Sequence, residues 1–389
     1  MDRLRGTSHR DSRGHAADGR QRVSRLPTGQ PILQHRAGGT LHGTRSRNTR
    51  RSLTRTALSA DVVPHDTLSG MALRNGAKGA LRASVITLTY NRPVALRRCL
   101  QSLVAQSLPA KDFEVVVVDV STKSVEAVLE EFRASLQVVH HVTENRGVAA
   151  NRNAGATRAR GDVIVFLDDD CRASPLWLMS LVTAVEGRPR TLSAAPVVHD
   201  APTTAVALAG QVITEVVHAF FNPPHAEPRF LPGLNFGVPR AAYVALGGCD
   251  ESYGRLAAED RDFNDRWRAA GGSLVLCEGA VVQHDHRGTL AGFVRQYINY
   301  GRGAWRYHAG RRRRRSGRMS AEIRLHAELP RLLREPLRRL SWRTRVHTLA
   351  LLGVWQVANA VGFTIQAILD LTHTNRLTEP SRVSAAGHR

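Results

Sequence analysis

The sequence predicts an α/β fold: a single domain with a mostly parallel, mixed sheet covered by helices on both faces. Short β-branched runs alternate with stretches of helical apolar spacing between residues 83 and 167, which indicates strands alternating with helices. Several of these runs are apolar at almost every position, as is typical of strands buried on both faces. The runs end at polar residues, where open α/β sheets bind their ligands.

The predicted strands and helices alternate along the chain. The β-branched and apolar runs predict strands at 83–89, 113–118, 136–142 and 163–167. Apolar residues at helical spacing predict a helix at 94–108. Helices are also expected at 124–135, at 145–160, which is rich in small residues, and near 175–185. Short strands are expected at 273–277 and 279–283. A helix is expected to begin at Glu259-Asp260, because Phe263 and Trp267 are four residues apart and two glycines follow at 271 and 272.

The positive charge of the chain lies outside this domain. The 389 residues have a formal net charge of +22, yet residues 81–301 carry 22 Lys and Arg against 23 Asp and Glu. A nucleic-acid binder is expected to carry its basic residues on the folded domain. A neutral domain with basic flanks therefore indicates nucleic acid only weakly, and nucleic acid is an unlikely partner.

Residues 1–80 lack sustained periodicity and are rich in Arg, Gly and Ser, so a disordered basic tail is predicted. No apolar segment typical of a secretory signal follows the start. Met71 is an alternative natural start, just before the predicted domain. Four cysteines in 389 residues are too few for a disulfide scaffold. They contain no C-x-x-C pair, which argues against a structural zinc site.

Residues 302–375 are predicted to form a basic and apolar helical extension, followed by a C-terminal tail at 376–389. The segment 346–369 has no Lys, Arg, Asp or Glu over 24 residues, which meets the length of a membrane span. However, His347, Gln356 and other polar residues interrupt it, which favours an interfacial helix. We expect a cytoplasmic protein with an anionic membrane surface as a partner of residues 302–369; the alternative is a soluble helix packed on the domain.

Three consecutive carboxylates, Asp168-Asp169-Asp170, follow the strand predicted at 163–167. Like charges this close need a compensating partner in a partly desolvated crevice. Carboxylate oxygens suit Mg²⁺ or Mn²⁺, which can also contact substrate phosphates. The triplet therefore predicts a divalent metal site, and a solvated turn or helix cap is the alternative.

The triplet is one of an ordered set of motifs. The others are Thr89-Tyr90-Asn91, Asp119, Asn145-Arg146-Gly147, Asn151-Arg152-Asn153, Gly233-Leu234-Asn235, Gly247-Gly248-Cys249-Asp250-Glu251, Glu259-Asp260-Arg261-Asp262 and His284-Asp285-His286. In this order they resemble the family 2 glycosyltransferases, inverting enzymes of the GT-A fold. The resemblance covers residues 83–301, and it implies a GT-A glycosyltransferase catalytic domain at 81–301.

The resemblance implies a donor site. Thr89, Tyr90 and Asp119 match the positions that hold the nucleotide base, although Val120 stands where the family often has a second aspartate. Arg152 matches an arginine that supports the nucleotide; the alternative is a helix-surface arginine. Asp170 matches the direct metal ligand, and Asp168 matches the carboxylate that reaches the ribose or the metal.

The resemblance also implies the residues that surround the reacting centre. Asp260 matches the general base, and first-turn capping is the alternative role. His284, or His286 as second choice, matches a further metal ligand. Asn235 and Glu259 are expected on the acceptor side. Trp177 and Tyr253 are either stacking platforms or core residues.

The expected function is that of a metal-dependent inverting glycosyltransferase that uses Mn²⁺ or Mg²⁺. It would move a sugar from a nucleotide-diphospho-sugar donor to a hydroxyl of a glycan, lipid-linked or small-molecule acceptor. One alternative is a nucleotidyltransferase, but such an enzyme would be expected to have a glycine-rich triphosphate loop after the first strand. The other alternative is a nucleic-acid-binding protein that uses the arginine-rich flanks.

Overall fold

The structure is a computed structural model that describes residues 81–378, except 200, 201, 203, 225, 286, 287 and 318. The tail predicted at 1–80, its alternative start at Met71 and the last residues of the tail predicted at 376–389 lie outside the described residues. His286, the second choice for a metal ligand, also lies outside them.

The strands begin and end close to the predicted positions in the N-terminal half. They are β1 (Ala83–Thr89), β2 (Phe113–Asp119), β3 (Val138–Val142), β4 (Val163–Leu167), β5 (Cys171–Ala173), β6 (Thr191–Ala194), β7 (Val197–His199), β8 (Asn235–Pro239), β9 (Ser273–Leu276) and β10 (Val282–His284).

The helices separate these strands and then continue alone to the end of the described chain. They are α1 (Pro93–Val104), α2 (Glu126–Glu130), α3 (Val148–Arg158), α4 (Trp177–Val185), α5 (Ala205–Phe221), α6 (Arg240–Ala245), α7 (Glu259–Ala269), α8 (Leu290–Arg314), α9 (Ser320–Leu332), α10 (Arg334–Arg338) and α11 (Trp342–Thr378).

Seven strands form the main sheet, in the order β3-β2-β1-β4-β8-β6-β9. The pairs among β3, β2, β1 and β4 are parallel, whereas β8 is antiparallel to both of its neighbours. A second sheet has the order β5-β10-β7. The predicted α/β class with a mostly parallel, mixed sheet is therefore confirmed.

Alternate side chains of the buried strands pack on opposite faces of the main sheet. Val115 and Val165 belong to a core with residues of α1, α2 and α4. Val116 and Phe166 belong to a second core with residues of α3, α6 and α7. Because successive side chains of a strand point to opposite faces, a strand that is apolar throughout serves both cores.

A third core lies among the C-terminal helices. It contains side chains of α5, α8, α9 and α11, including Val212, Phe293 and Trp355. The boundary predicted between residues 301 and 302 falls inside α8, since the helix continues where the charge of the sequence changes. Residues of α5 and of the first part of α8, which lie in the segment predicted as catalytic, thus share this core with α9 and α11.

Candidate active site

A cleft of about 350 Å³ opens where β1 and β4 end. Its lining includes Thr89 and Tyr90 at the end of β1, the triplet Asp168-Asp169-Asp170 after β4, and Val120 after β2. The parallel pairing of β2, β1 and β4 brings these ends to one edge of the sheet. Residues that are some 80 positions apart in the chain thus surround one space.

The three carboxylates of the triplet have different partners. The Thr89 hydroxyl donates to Asp169 at 2.8 Å, and the Asp169 side chain is buried. The Arg92 guanidinium lies 3.4 Å from Asp169 and 2.7 Å from Asp170. Asp168 is more exposed and lies 3.6 Å from Nη2 of Arg152. The middle carboxylate is therefore a structural link to β1, and the outer two face the cleft and its surroundings.

Burial and neighbouring charges shift the pKa values of these carboxyl groups in different directions. Burial raises the pKa of Asp169 to about 7, and the adjacent Asp170 adds to that effect. Burial also acts to raise the pKa of Asp170, but pairing with His284 and Arg92 outweighs it and lowers that pKa. Asp170 is thus held as an anion next to an imidazole, which is an arrangement suited to a metal ligand.

His284 reaches the triplet through the second sheet. The antiparallel pairing of β10 with β5 places His284 opposite Cys171, and its Nε2 lies 3.5 Å from Oδ1 of Asp170. The donor atoms of Asp170, Cys171 and His284 lie within 4.8 Å of one another. Burial raises the pKa of the Cys171 thiol well above its ordinary value, so Asp170 and His284 are the better pair of ligands.

Arg152 connects the triplet to the start of α7. It is buried, and its Nη1 donates to Glu259 at 2.7 Å. Its Nη2 donates to the carbonyl of Gly233 at 2.8 Å and lies near Asp168. Burial opposes the charge of Arg152, but the nearby acidic groups, Glu259 first and Asp168 next, together outweigh it and raise the pKa of the guanidinium. The alternative of a helix-surface arginine does not describe this residue.

Asp260 lies on the other side of Gly233. Its Oδ2 accepts from the Gly233 amide at 2.9 Å, and its Oδ1 accepts from the amide of Arg261 at 2.8 Å. The residue is partly exposed and occupies the first turn of α7, where backbone dipoles stabilise an anion. Asp260 is not among the residues that line the cleft, but the backbone at Gly233-Leu234 joins it to Asp168, whose amide donates to Leu234.

Asp119 lies beneath the cleft next to Val120. It is buried, and it accepts from the Ser121 amide at 2.9 Å. His140 of β3 contacts it with Nε2 at 3.2 Å and contacts Glu126 with Nδ1 at 2.6 Å. The imidazole therefore bridges two carboxylates and fixes the orientation of Asp119.

The structure corrects the expected acceptor side. Asn235 is fully buried, and its amide accepts from Trp177 Nε1 and exchanges two hydrogen bonds with the backbone of Ala195. Glu259 is buried against Arg152. Neither side chain is free to contact an acceptor, because each already satisfies a buried partner.

The two aromatic residues that were either stacking platforms or core residues belong to the core. Trp177 is 0% exposed and Tyr253 is 4% exposed. Stacking on a ligand requires an open ring face, which neither residue offers.

Three functional candidates were missed by the sequence reasoning: Arg92, His140 and Arg255. Arg92 was visible in the turn after β1, but its pairing with the triplet depends on the direction in which α1 leaves the sheet. His140 and Arg255 belong to no motif. Only the packing of β3 on β2 and the path of the loop before α7 bring them to the site.

Comparisons with known proteins agree with this arrangement. The Glycosyl transferase family 2 model matches residues 84–233. A glucosyl-dolichyl phosphate glucuronosyltransferase of Haloferax volcanii is 28% identical over 196 residues, which are 45% of this chain and 58% of that protein. A pre-mycofactocin glycosyltransferase of Mycobacterium tuberculosis is 29% identical over 233 residues, which are 56% of this chain and 46% of that protein. The chain thus spans about half the length of these relatives.

Solved structures of similar fold include a mannosyltransferase from Pyrobaculum calidifontis in complex with GDP-Man and Mn²⁺. It is 19% identical with a TM-score of 0.47, and the match covers 81% of this chain and 87% of that chain. The predicted GT-A type of fold and the predicted family are confirmed. Over residues 84–233, the chain is therefore similar to glycosyl transferase family 2.

Proposed function

We propose that this protein is a metal-dependent inverting glycosyltransferase that moves a sugar from a nucleotide-diphospho-sugar to an acceptor hydroxyl. The observation that carries the proposal is the chain of contacts from Asp168, in the same triplet as Asp170, through Arg152 and Gly233 to Asp260. It connects a site for a cation and a diphosphate with a carboxylate suited to accept a proton. These are the two functions that such a transfer requires.

The residues present fit a divalent cation. Asp170 and His284 supply an anionic oxygen and an imidazole nitrogen 3.5 Å apart, and Asp168 adds a second carboxylate beside them. This mixed set suits Mn²⁺ and, with less preference for nitrogen, Mg²⁺. When bound there, the cation supplies positive charge that stabilises the departing diphosphate. Asp170 and His284 would hold the cation. Arg92 would then give up its ion pair with Asp170 or remain in contact with that carboxylate beside the cation.

The donor would occupy the cleft. Its volume of about 350 Å³ falls within the usual range for a small-molecule site. Tyr90 is half exposed at the rim and offers a ring face to a base, and Val120 offers an apolar contact beside it. Asp119 and Thr89 support this wall from below, as their register in adjacent strands allows.

Asp260 would act as the general base. Its carboxylate accepts two backbone amides and lies in the first turn of α7, where the helix dipole favours a negative charge. As Asp260 takes the acceptor proton, the hydroxyl oxygen would attack the anomeric carbon on the face opposite the diphosphate. The new glycosidic bond would form as the bond to the diphosphate oxygen breaks, so the nucleoside diphosphate would leave and the configuration would invert. The buried Arg152–Glu259 pair would hold the neighbouring backbone in place.

We further propose that the outer face of α11 lies on a membrane surface. By length and composition, residues 342–372 are long and apolar enough to cross a membrane, and only 28% of the most apolar stretch is buried in the structure. Exposed apolar side chains recur along one face, including Val346, Val357, Ile365 and Ile368. The opposite face packs on α8 and α5, so a helix that lies in the interface is favoured over a span, and a lipid-linked acceptor would be within reach.

The reaction can be tested with purified protein and a set of nucleotide-sugars, with nucleotide release as the readout. We expect release with at least one donor in the presence of Mn²⁺ or Mg²⁺ and none in EDTA. Asp260→Asn should reduce turnover by about a thousandfold or more, within the range for loss of a catalytic base, and should leave nucleotide binding intact. The matched control Glu130→Gln removes an exposed carboxylate on α2 and should leave turnover unchanged. Full activity in EDTA, or near-normal turnover of Asp260→Asn, would refute the proposal.

A further inference from the structure

The loop between Asp250 and α7 brings an arginine to the donor cleft. Arg255 lines the same cleft as the triplet Asp168-Asp169-Asp170. It belongs to none of the motifs in the sequence, and it lies within the segment 251–258 that leads into the helix of Asp260. The cleft therefore contains a cationic side chain to which the proposed reaction has so far given no role.

Arg255 differs in its partners from the two other arginines near the triplet. Arg92 pairs with Asp169 and Asp170, and Arg152 pairs with Glu259 and Asp168. Arg255 is exposed, and its one hydrogen bond from Nη2 goes to the carbonyl of Asn145 at 3.2 Å. Among the residues that the structure describes, no carboxylate lies within ion-pair distance of its guanidinium. Its charge is thus available to an anionic ligand.

The backbone that carries Arg255 is held from two sides. On one side, Gly254 packs so closely on Gly147 that a Cβ on Gly147 would lie 1.6 Å from the Gly254 carbonyl oxygen, and Gly147 has a φ of 103°. On the other side, Nδ2 of Asn299 donates to the Arg255 carbonyl at 3.1 Å, and Arg306 donates to the Ser252 carbonyl. Both of those residues belong to α8. The guanidinium therefore extends from a preorganised backbone, which reduces the entropy cost of binding.

The surroundings of Arg255 favour a phosphate. Val148, the first residue of α3, lines the same cleft, and the free amides in the first turn of a helix favour anions. The triplet lines the cleft as well and would hold the cation that accompanies a diphosphate. A guanidinium forms strong charge-assisted hydrogen bonds with phosphate oxygens.

We propose that Arg255 binds the diphosphate of the nucleotide-sugar donor and that α8 positions it for this contact. The proposal rests on the proposed glycosyltransferase function, and it assigns to α8 a role in donor binding in addition to packing. It also explains why the loop before α7 is anchored on a helix of the C-terminal region.

Titration calorimetry with UDP and with GDP, each in the presence of Mn²⁺, tests this assignment. We expect Arg255→Gln to weaken binding of the preferred nucleoside diphosphate about tenfold, and Arg255→Lys to weaken it less because the charge remains. Arg188→Gln is the matched control, since Arg188 is an exposed arginine that does not line the cleft. Because Arg255 is exposed, its variants should unfold at the temperature of the wild type.

The possible results separate the two proposals. Wild-type protein that binds neither nucleotide would overturn the proposed function and this assignment together. Wild-type protein that binds one of them, with Arg255→Gln binding it equally well, would overturn the assignment alone. A loss of affinity that Arg188→Gln matches would show an effect of net charge and would also overturn it.

Discussion

The hydrogen bonds of Asn235 indicate a structural role in place of the acceptor contact expected from the sequence. Its amide joins Trp177 of α4 to the backbone of Ala195, and it is fully buried at the start of β8. The two ends of the motif Gly233-Leu234-Asn235 therefore make contacts with different parts of the structure. Gly233 connects Arg152 with Asp260, and Asn235 connects the sheet with α4.

We predict that Asn235→Ala destabilises the fold and leaves acceptor recognition intact. The change removes hydrogen bonds from the Trp177 indole and the Ala195 backbone, and unsatisfied buried groups cost about 1–3 kcal/mol each. A loss of about 3 kcal/mol in the free energy of unfolding by urea is therefore expected. Unchanged stability together with a raised acceptor KM would restore the acceptor role that the sequence suggested.

At Glu259 a buried carboxyl group introduces a dependence of stability on pH. Burial raises its pKa from about 4.5 to about 7, and the nearby charge of Asp260 adds to this. Between these values the folded state binds a proton that the unfolded state has released, so stability falls as pH rises. The contribution is fully present below pH 4.5 and is lost above about pH 7.

We predict that Glu259→Gln removes this slope. For the wild type, the group contributes a decrease of at most about 1.4 kcal/mol per pH unit between pH 4.5 and 7. The variant should lack that contribution, whatever its overall loss of stability from the unpaired Arg152. Chemical denaturation at several pH values measures both slopes, and identical slopes would contradict the assigned pKa.

Among the elements, α7 and α8 are joined by a network of charges. Arg314 of α8 lies 2.8 Å from Asp262 and 3.0 Å from Asp265, and Arg311 lies 3.1 Å from Asp265. The run of five arginines at 311–315 is therefore divided. Two of them pair with the helix that carries Asp260, whereas Arg312 and Arg313 are exposed.

We predict that Arg314→Gln lowers the free energy of unfolding by about 2 kcal/mol. Breaking a fully buried ion pair costs about 3–5 kcal/mol, and the partial exposure of Arg314 reduces this value. Arg313→Gln, which removes the adjacent exposed charge, should change stability by less than about 0.5 kcal/mol. Equal effects of the two substitutions would mean that the network adds nothing to stability.

At the scale of the whole molecule, the packing of the third core determines which side of α11 is exposed. The helices α5, α8 and α9 cover one side of α11, and its other side remains apolar and exposed. Trp342, Arg343 and Arg345 lie at its N-terminal end. Such side chains are favoured at the level of lipid headgroups.

We predict that the double substitution Val357→Asp and Ile365→Asp reduces binding to vesicles that contain anionic lipid by more than tenfold. Both side chains lie on the exposed face of α11, where a charge opposes insertion into the interface. Val244→Asp, on an exposed position of α6, is the matched control. Vesicle co-sedimentation gives the readout. Retained binding, or a soluble dimer that the double substitution dissociates, would contradict a membrane role.

The sequence predicted most of the sheet and the positions of the motif residues because these depend on local patterns. The period-2 and period-3.6 spacing of apolar residues is set by the backbone geometry of single elements. The ends of β1 and β4 therefore matched residue for residue. The boundary predicted at residue 301 lies inside α8, because a change in the charge of the sequence does not interrupt the periodicity of a helix.

Local sequence patterns were sufficient to predict the family resemblance, the fold class and the edge of the sheet where the carboxylates meet. Only the tertiary structure decided which partner each polar group has: Asp169 with Thr89, Glu259 with Arg152, and Asp262 with Arg314. The physical reason is that these partners are 52 to 107 positions apart. Their contacts arise from how helices pack on the sheet, which no local pattern encodes. The same packing leaves Arg255 in the cleft and one face of α11 exposed.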